Sequence, residues 1–160
     1  MQDTTKRSTR ERDEAQYDGV PSDEALRALL DSARTIAVVG LSDRPARASQ
    51  GVARYLVAAG YTVYGVNPRL AGETVAGAAV YATLADVPGE IDIVDVFRRL
   101  DAIPQVVDET LELADRKRIG CLWLQLGLFD GRAARRAQQA GLTVVMDRCL
   151  KIEHARLQRR

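Results

Sequence analysis

Five short apolar runs recur along the chain, separated by stretches in which apolar positions return every three or four residues. The first run, Thr35-Ile-Ala-Val-Val39, ends at Gly40-Leu41-Ser42. A run of that length closed by glycine predicts a buried parallel strand. Val52, Tyr55, Leu56 and Ala59 then fall on one helical face, and Gly60 can stop that helix. The remaining strands are predicted over Tyr61–Pro68, Ile91–Phe97, Gly120–Gln125 and Thr143–Asp147. Helices are predicted from Ser22, which can cap the turn carrying Asp23 and Glu24, from Pro104, from Asp130 and over Leu150–Leu157. Between 69 and 90 the chain reads as irregular, with a brief strand near Val80-Tyr81 and one helical turn at Thr83–Asp86.

Strand and helix alternate five times. The expected architecture is therefore α/β: a doubly wound, mainly parallel sheet of five or six strands with helices on both faces. Residues 1–20 are polar and mixed in charge, and are expected to form a flexible tail before one domain over 21–160. A chain of 160 residues is long enough for a single core.

Composition narrows the function classes. A formal net charge of +1 gives no global field for nucleic acid. No run is long and apolar enough for a membrane span, and no signal-peptide core is present, so a cytoplasmic location is expected. Cys121 and Cys149 form no metal-binding or CxxC spacing and read as buried reduced thiols. No metal site is expected.

Open parallel sheets bind ligands at the carboxyl ends of their strands. Those ends carry Gly40-Leu-Ser42, Asn67-Pro-Arg69, Phe97-Arg98 and Gln125-Leu-Gly127. Ser42 and Pro45 occupy positions where a dinucleotide fingerprint has glycine, and the longer turn carries Arg44 and Arg47. Backbone N–H groups at the start of the following helix would face an anion. After the second strand, where an NAD site keeps an acid for the ribose hydroxyls, stand Asn67, Pro68 and Arg69. An arginine there attracts a phosphate, which favours NADP or coenzyme A over NAD.

Val38-Val-Gly-Leu-Ser42, Tyr64-Gly-Val-Asn-Pro68, Asp92-Ile-Val-Asp-Val-Phe-Arg98, Leu122-Trp-Leu-Gln-Leu-Gly127 and Met146-Asp-Arg-Cys-Leu-Lys-Ile-Glu-His154 resemble, in order, the small stand-alone CoA-binding proteins. These are in turn similar to the CoA-binding domain of the succinyl-CoA synthetase α subunit. The resemblance covers about residues 22–157 and implies a single Rossmann-like domain that binds coenzyme A without established catalysis. It implies that Gly40, Leu41 and Ser42 lie against the diphosphate; Arg47 and Ser49, in the turn and helix start that follow, are further candidate cofactor-binding residues. Asn67, Pro68 and Arg69 would lie near the adenosine and its 3′-phosphate. Val96, Phe97, Arg98, Gln125 and Gly127 would line the adenine or pantetheine side.

No catalytic residue is expected. His154, the sole histidine, reads as a surface helix histidine near the buried Cys149 thiol rather than as a catalytic group with Glu153 and Cys149. Asp92 and Asp95 read as sharing one side of their strand, in a structural role bonding loop N–H groups, and Trp123 as core. The ligand expected is coenzyme A or an acyl-CoA, with no nucleic acid or membrane partner. Two other readings stay open. One is an NADP-dependent oxidoreductase, which needs a proton donor beside the nicotinamide. The other is an interaction module that has lost its ligand.

Overall fold

The computed structural model describes Tyr17 and residues 19–159. The flexible tail expected over 1–20 therefore lies almost wholly outside the described residues. Tyr17 departs from that expectation. Its ring meets Phe129 edge-on with centroids 6.1 Å apart, and its hydroxyl donates to Val144 O at 2.9 Å. One aromatic side chain thus anchors the end of a segment that looked too polar to pack.

The elements follow the apolar pattern. They are α1 (Asp23–Ser32), β1 (Thr35–Val39), α2 (Ala48–Ala58), β2 (Thr62–Val66), β3 (Thr74–Val75), β4 (Ala78–Tyr81), β5 (Ile93–Val96), α3 (Ile103–Lys117), β6 (Cys121–Leu124), α4 (Gly131–Gln139), β7 (Thr143–Val145) and α5 (Leu150–Gln158). Ser22 caps α1 by accepting from Ala25 N at 3.1 Å, and Asp130 caps α4 by accepting from Ala133 N at 3.0 Å. Each such cap contributes about 0.5–2 kcal/mol.

The sheet has seven strands in the order β3-β4-β2-β1-β5-β6-β7, all parallel except β3 against β4. The count exceeds the expected five or six because residues 74–81 form a hairpin. Ala76 and Gly77 connect it, with φ of +52° and +85°. Two positive φ values in a two-residue loop match the twist of the flanking strands. Alanine in the first of these positions hid the hairpin in the sequence.

Two apolar layers sandwich the sheet. Leu26 and Leu30 of α1, Val52 and Leu56 of α2, and Leu150 and Leu157 of α5 pack on one face with Trp123 and both cysteines. Ile103 and Val107 of α3 and Ala133, Ala134 and Ala137 of α4 cover the other. The chain reverses direction across the sheet at β1, which lies between β2 and β5. Strand ends splay apart at such a point and leave a crevice.

Asp92 and Asp95 do not share a face. They are three residues apart, and strand side chains alternate with period two. Asp92 Oδ2 accepts from Arg34 N and Thr35 N, at 2.7 and 2.9 Å, the structural role expected of it. Asp95 is fully buried, and its carboxyl oxygens have no hydrogen-bond partner among the described residues. Burial raises its pKa well above the usual carboxylate range.

Candidate functional site

A cleft of about 540 Å³ opens over the carboxyl ends of β2, β1, β5 and β6. Ligand pockets typically run from about 300 to 1,000 Å³. Gly40, Ser42, Arg47, Ser49, Asn67, Arg69, Phe97, Arg98 and Gln125 line it, so nine of the residues singled out by sequence converge.

Gly40 makes the floor. Its φ is +89°, its N–H donates to Val66 O at 2.9 Å, and a Cβ built on it would lie 2.1 Å from Phe97 O. A side chain is therefore excluded by the neighbouring strand as well as by anything in the cleft. The polar residues of the first loop largely hold one another. Ser42 N donates to Ser49 Oγ at 3.0 Å, and Arg44 N to Ser42 Oγ at 3.1 Å. Asn67 bridges two loops: its Nδ2 donates to Leu41 O at 3.0 Å and its Oδ1 accepts from Arg69 N at 2.9 Å. The N–H groups of Gly40 and Ser42 are thus already occupied. Further on, α2 begins with no side-chain cap at Arg47 and with Ala48 and Ser49 in the lining. A helix start of this kind favours an anion.

Charge gives the cleft its character. Arg44, Arg47, Arg69 and Arg98 line it against one carboxylate, Asp43. Among the described residues none of these four guanidiniums has an ion-pair partner. Unpaired arginines at one cleft suit phosphate groups, which they bind with paired, charge-assisted hydrogen bonds.

Four of the sequence-selected residues are placed elsewhere. The Leu41 side chain is fully buried and fills the groove that Gly65 leaves: a Cβ on Gly65 would lie 2.5 Å from Leu41 Cδ2. Val96 is fully buried on the face covered by α3 and α4, opposite Phe97, as strand alternation requires. Pro68 and Gly127 are exposed beside the cleft and do not line it. Sequence reasoning did not select Asp43, Arg44, Ala48, Leu70, Leu126 or Leu128, which do line it. Arg44 was visible in the turn, and Leu126 sits between two selected residues.

His154 lies away from the cleft. Its Nδ1 is 2.8 Å from Tyr55 Oη, and burial lowers its pKa. Tyr61 packs edge-on against it with centroids 5.6 Å apart, and its hydroxyl donates to Leu30 O at 2.6 Å. Cys121 is buried and its thiol is pushed far up in pKa, the condition of an inert packing residue. No helix of the described residues is long and apolar enough to cross a membrane.

A mainly parallel, doubly wound sheet with an arginine-lined cleft at its point of reversal defines a Rossmann-like α/β domain. Residues 34–155 match the family described as CoA binding domain, and the chain belongs to that family. It is 38% identical over 135 residues to the uncharacterized protein YneT of Bacillus subtilis (strain 168), covering 84% of this chain and 96% of that protein. A solved structure from Thermus thermophilus shares 42% identity with a TM-score of 0.80, covering 86% of this chain and 99% of its own. At greater distance stands the dinucleotide-forming acetyl-coenzyme A synthetase 1 of Ca. Korarchaeum cryptofilum, 27% identical with a TM-score of 0.56. That match covers 69% of this chain and 25% of the synthetase.

Proposed function

We propose that the protein binds coenzyme A or an acyl-CoA in the cleft at the strand ends and performs no chemistry of its own. The observation that carries the reading is the set of four arginines there without an ion-pair partner among the described residues, opposed by one aspartate, in a chain of this family. Coenzyme A brings a diphosphate and a 3′-phosphate, which need several cationic partners at separate points. Arg44 and Arg47 on the first loop, with the uncapped start of α2, would hold the diphosphate. Arg69, beyond β2, would hold the 3′-phosphate. The cleft lining offers neither histidine, cysteine, lysine nor tyrosine to serve as nucleophile or proton donor. A hydride-transferring enzyme needs such a donor beside its nicotinamide, so the lining also weighs against the NADP reading.

Calorimetry with CoA, 3′-dephospho-CoA, NAD and NADP at one salt concentration tests this. CoA is expected to bind tightest and NAD least. An exposed guanidinium on a phosphate contributes about 1 kcal/mol, so loss of the 3′-phosphate should weaken binding about fivefold. Arg69→Ala should narrow that gap. Tighter binding of NADP than of CoA would overturn the reading. Acyl-CoA recovered intact after long incubation is the expected result for a binder, and its hydrolysis or transfer would refute the absence of chemistry.

A further inference from the structure

We propose that Asp147 is a positioning residue for the cleft wall over β6, and that this wall takes the pantetheine arm rather than the nucleotide end. The inference rests on the CoA reading above. The chain leaving β6 turns at Gly127, where φ is +83°. Two hydrogen bonds tie that turn to one residue after β7. Gly127 N donates to Asp147 Oδ1 at 2.7 Å, and Asp147 N donates to Leu128 O at 3.1 Å. Asp147 itself has φ +54°, the left-handed region that aspartate tolerates better than most residues. The next residue is held from below, because Trp123 Nε1 donates to Arg148 O at 3.0 Å and Trp123 is fully buried. A rigid core tryptophan thus holds the strained corner, and the corner holds the turn.

The turn carries Gln125, Leu126 and Leu128, all of which line the cleft. Gln125 is 8% exposed, and its Oε1 has no hydrogen-bond partner among the described residues. A buried carbonyl oxygen in that state wants an N–H donor. Leu126 is 55% exposed at the same edge. An amide acceptor beside leucines suits an aliphatic chain interrupted by amides, which is the chemistry of the pantetheine arm. Arg44, Arg47 and Arg69 belong to the loops after β1 and β2, whereas Arg98 follows β5, the strand next to β6. Asp147 touches no ligand in this scheme and acts through the turn.

Two variants separate the carboxylate from the backbone. Asp147→Gly accepts the left-handed φ and removes the acceptor, whereas Asp147→Asn keeps an oxygen for Gly127 N–H. Binding of CoA and of adenosine 3′,5′-bisphosphate, which lacks the arm, is measured by calorimetry on both variants and the parent. Asp147→Gly should weaken CoA about fivefold or more and leave the bisphosphate within twofold, and Asp147→Asn should restore CoA binding. Equal weakening of both ligands, or none of either, would overturn the positioning role while the parent's CoA affinity keeps the site. An asparagine variant that behaves like the glycine one would also overturn it. A parent that binds neither ligand would sink both this inference and the reading beneath it.

Discussion

Replacing Gly40 by alanine measures how closely β1 and β5 are spliced beneath the cleft. The added Cβ would stand 2.1 Å from Phe97 O, more than 1 Å short of ordinary contact, and 2.9 Å from Phe97 C. Both atoms are backbone, so no side chain can swing aside. Phe97 N donates to Val39 O at 2.8 Å, and its own carbonyl follows within the same residue. Relief therefore requires the two strand ends to part. A left-handed φ for a non-glycine residue costs about 1–3 kcal/mol, and forced overpacking about 1–3 kcal/mol more. The sum is about 2–6 kcal/mol, or a fall in Tm of about 5–20 °C for a domain of this size. Gly60→Ala isolates the first part: its φ is +100°, and nothing lies within 4 Å of a Cβ there. It should lose only about 1–3 kcal/mol. Thermal unfolding of both variants by circular dichroism gives the difference. CoA titration of the Gly40 variant should show weakened binding, since Phe97 and Arg98 line the cleft. If Gly40→Ala melts with Gly60→Ala, the close approach to Phe97 costs nothing and the reasoning fails.

Tyr17→Phe should lower stability by about 0.5–1.5 kcal/mol through loss of the bond to Val144 O, and removal of residues 1–18 should cost more because the ring contact with Phe129 goes too. Melting curves of the two chains check the order, and equal Tm values for all three proteins would show the anchor to be idle. Burial pushes the Tyr17 phenol up to about 12 from an ordinary 10, so stability should fall above pH 10, where the unfolded phenol ionises and the folded one stays protonated. Asp95 behaves in the same sense at lower pH. The folded carboxyl keeps its proton above the unfolded value of about 4, so stability declines as pH rises from there towards its folded pKa. Asp95→Asn should flatten that decline in denaturant titrations from pH 4 to 8, and an unchanged slope would mean that Asp95 is not the group responsible.

The alternating pattern was enough for the main strands, the capped helices and the glycine at the end of β1. Those are local matters: apolar period, cap chemistry and turn residues act within a few positions of one another. The hairpin of β3 and β4 was less legible, because Thr74-Val75 is too short to show a period and Ala76 is not a usual residue for its φ. Leu41 and Val96 lie next to residues that line the cleft, yet their side chains are buried. One is drawn into the space left by Gly65 on β2, and the other is turned away by the pleat. Sequence named the strand ends but could not say that Arg44, Arg47, Arg69 and Arg98 share a cleft without carboxylate partners, since they come from three separate loops. Nor could it show that Asp147 holds a turn twenty residues earlier, or that Tyr17 reaches across to Val144. The periodicity of a chain fixes which side of its own element a residue takes. Which residue of another element stands opposite depends on strand order and register, and these are set only when the whole sheet buries both its faces at once.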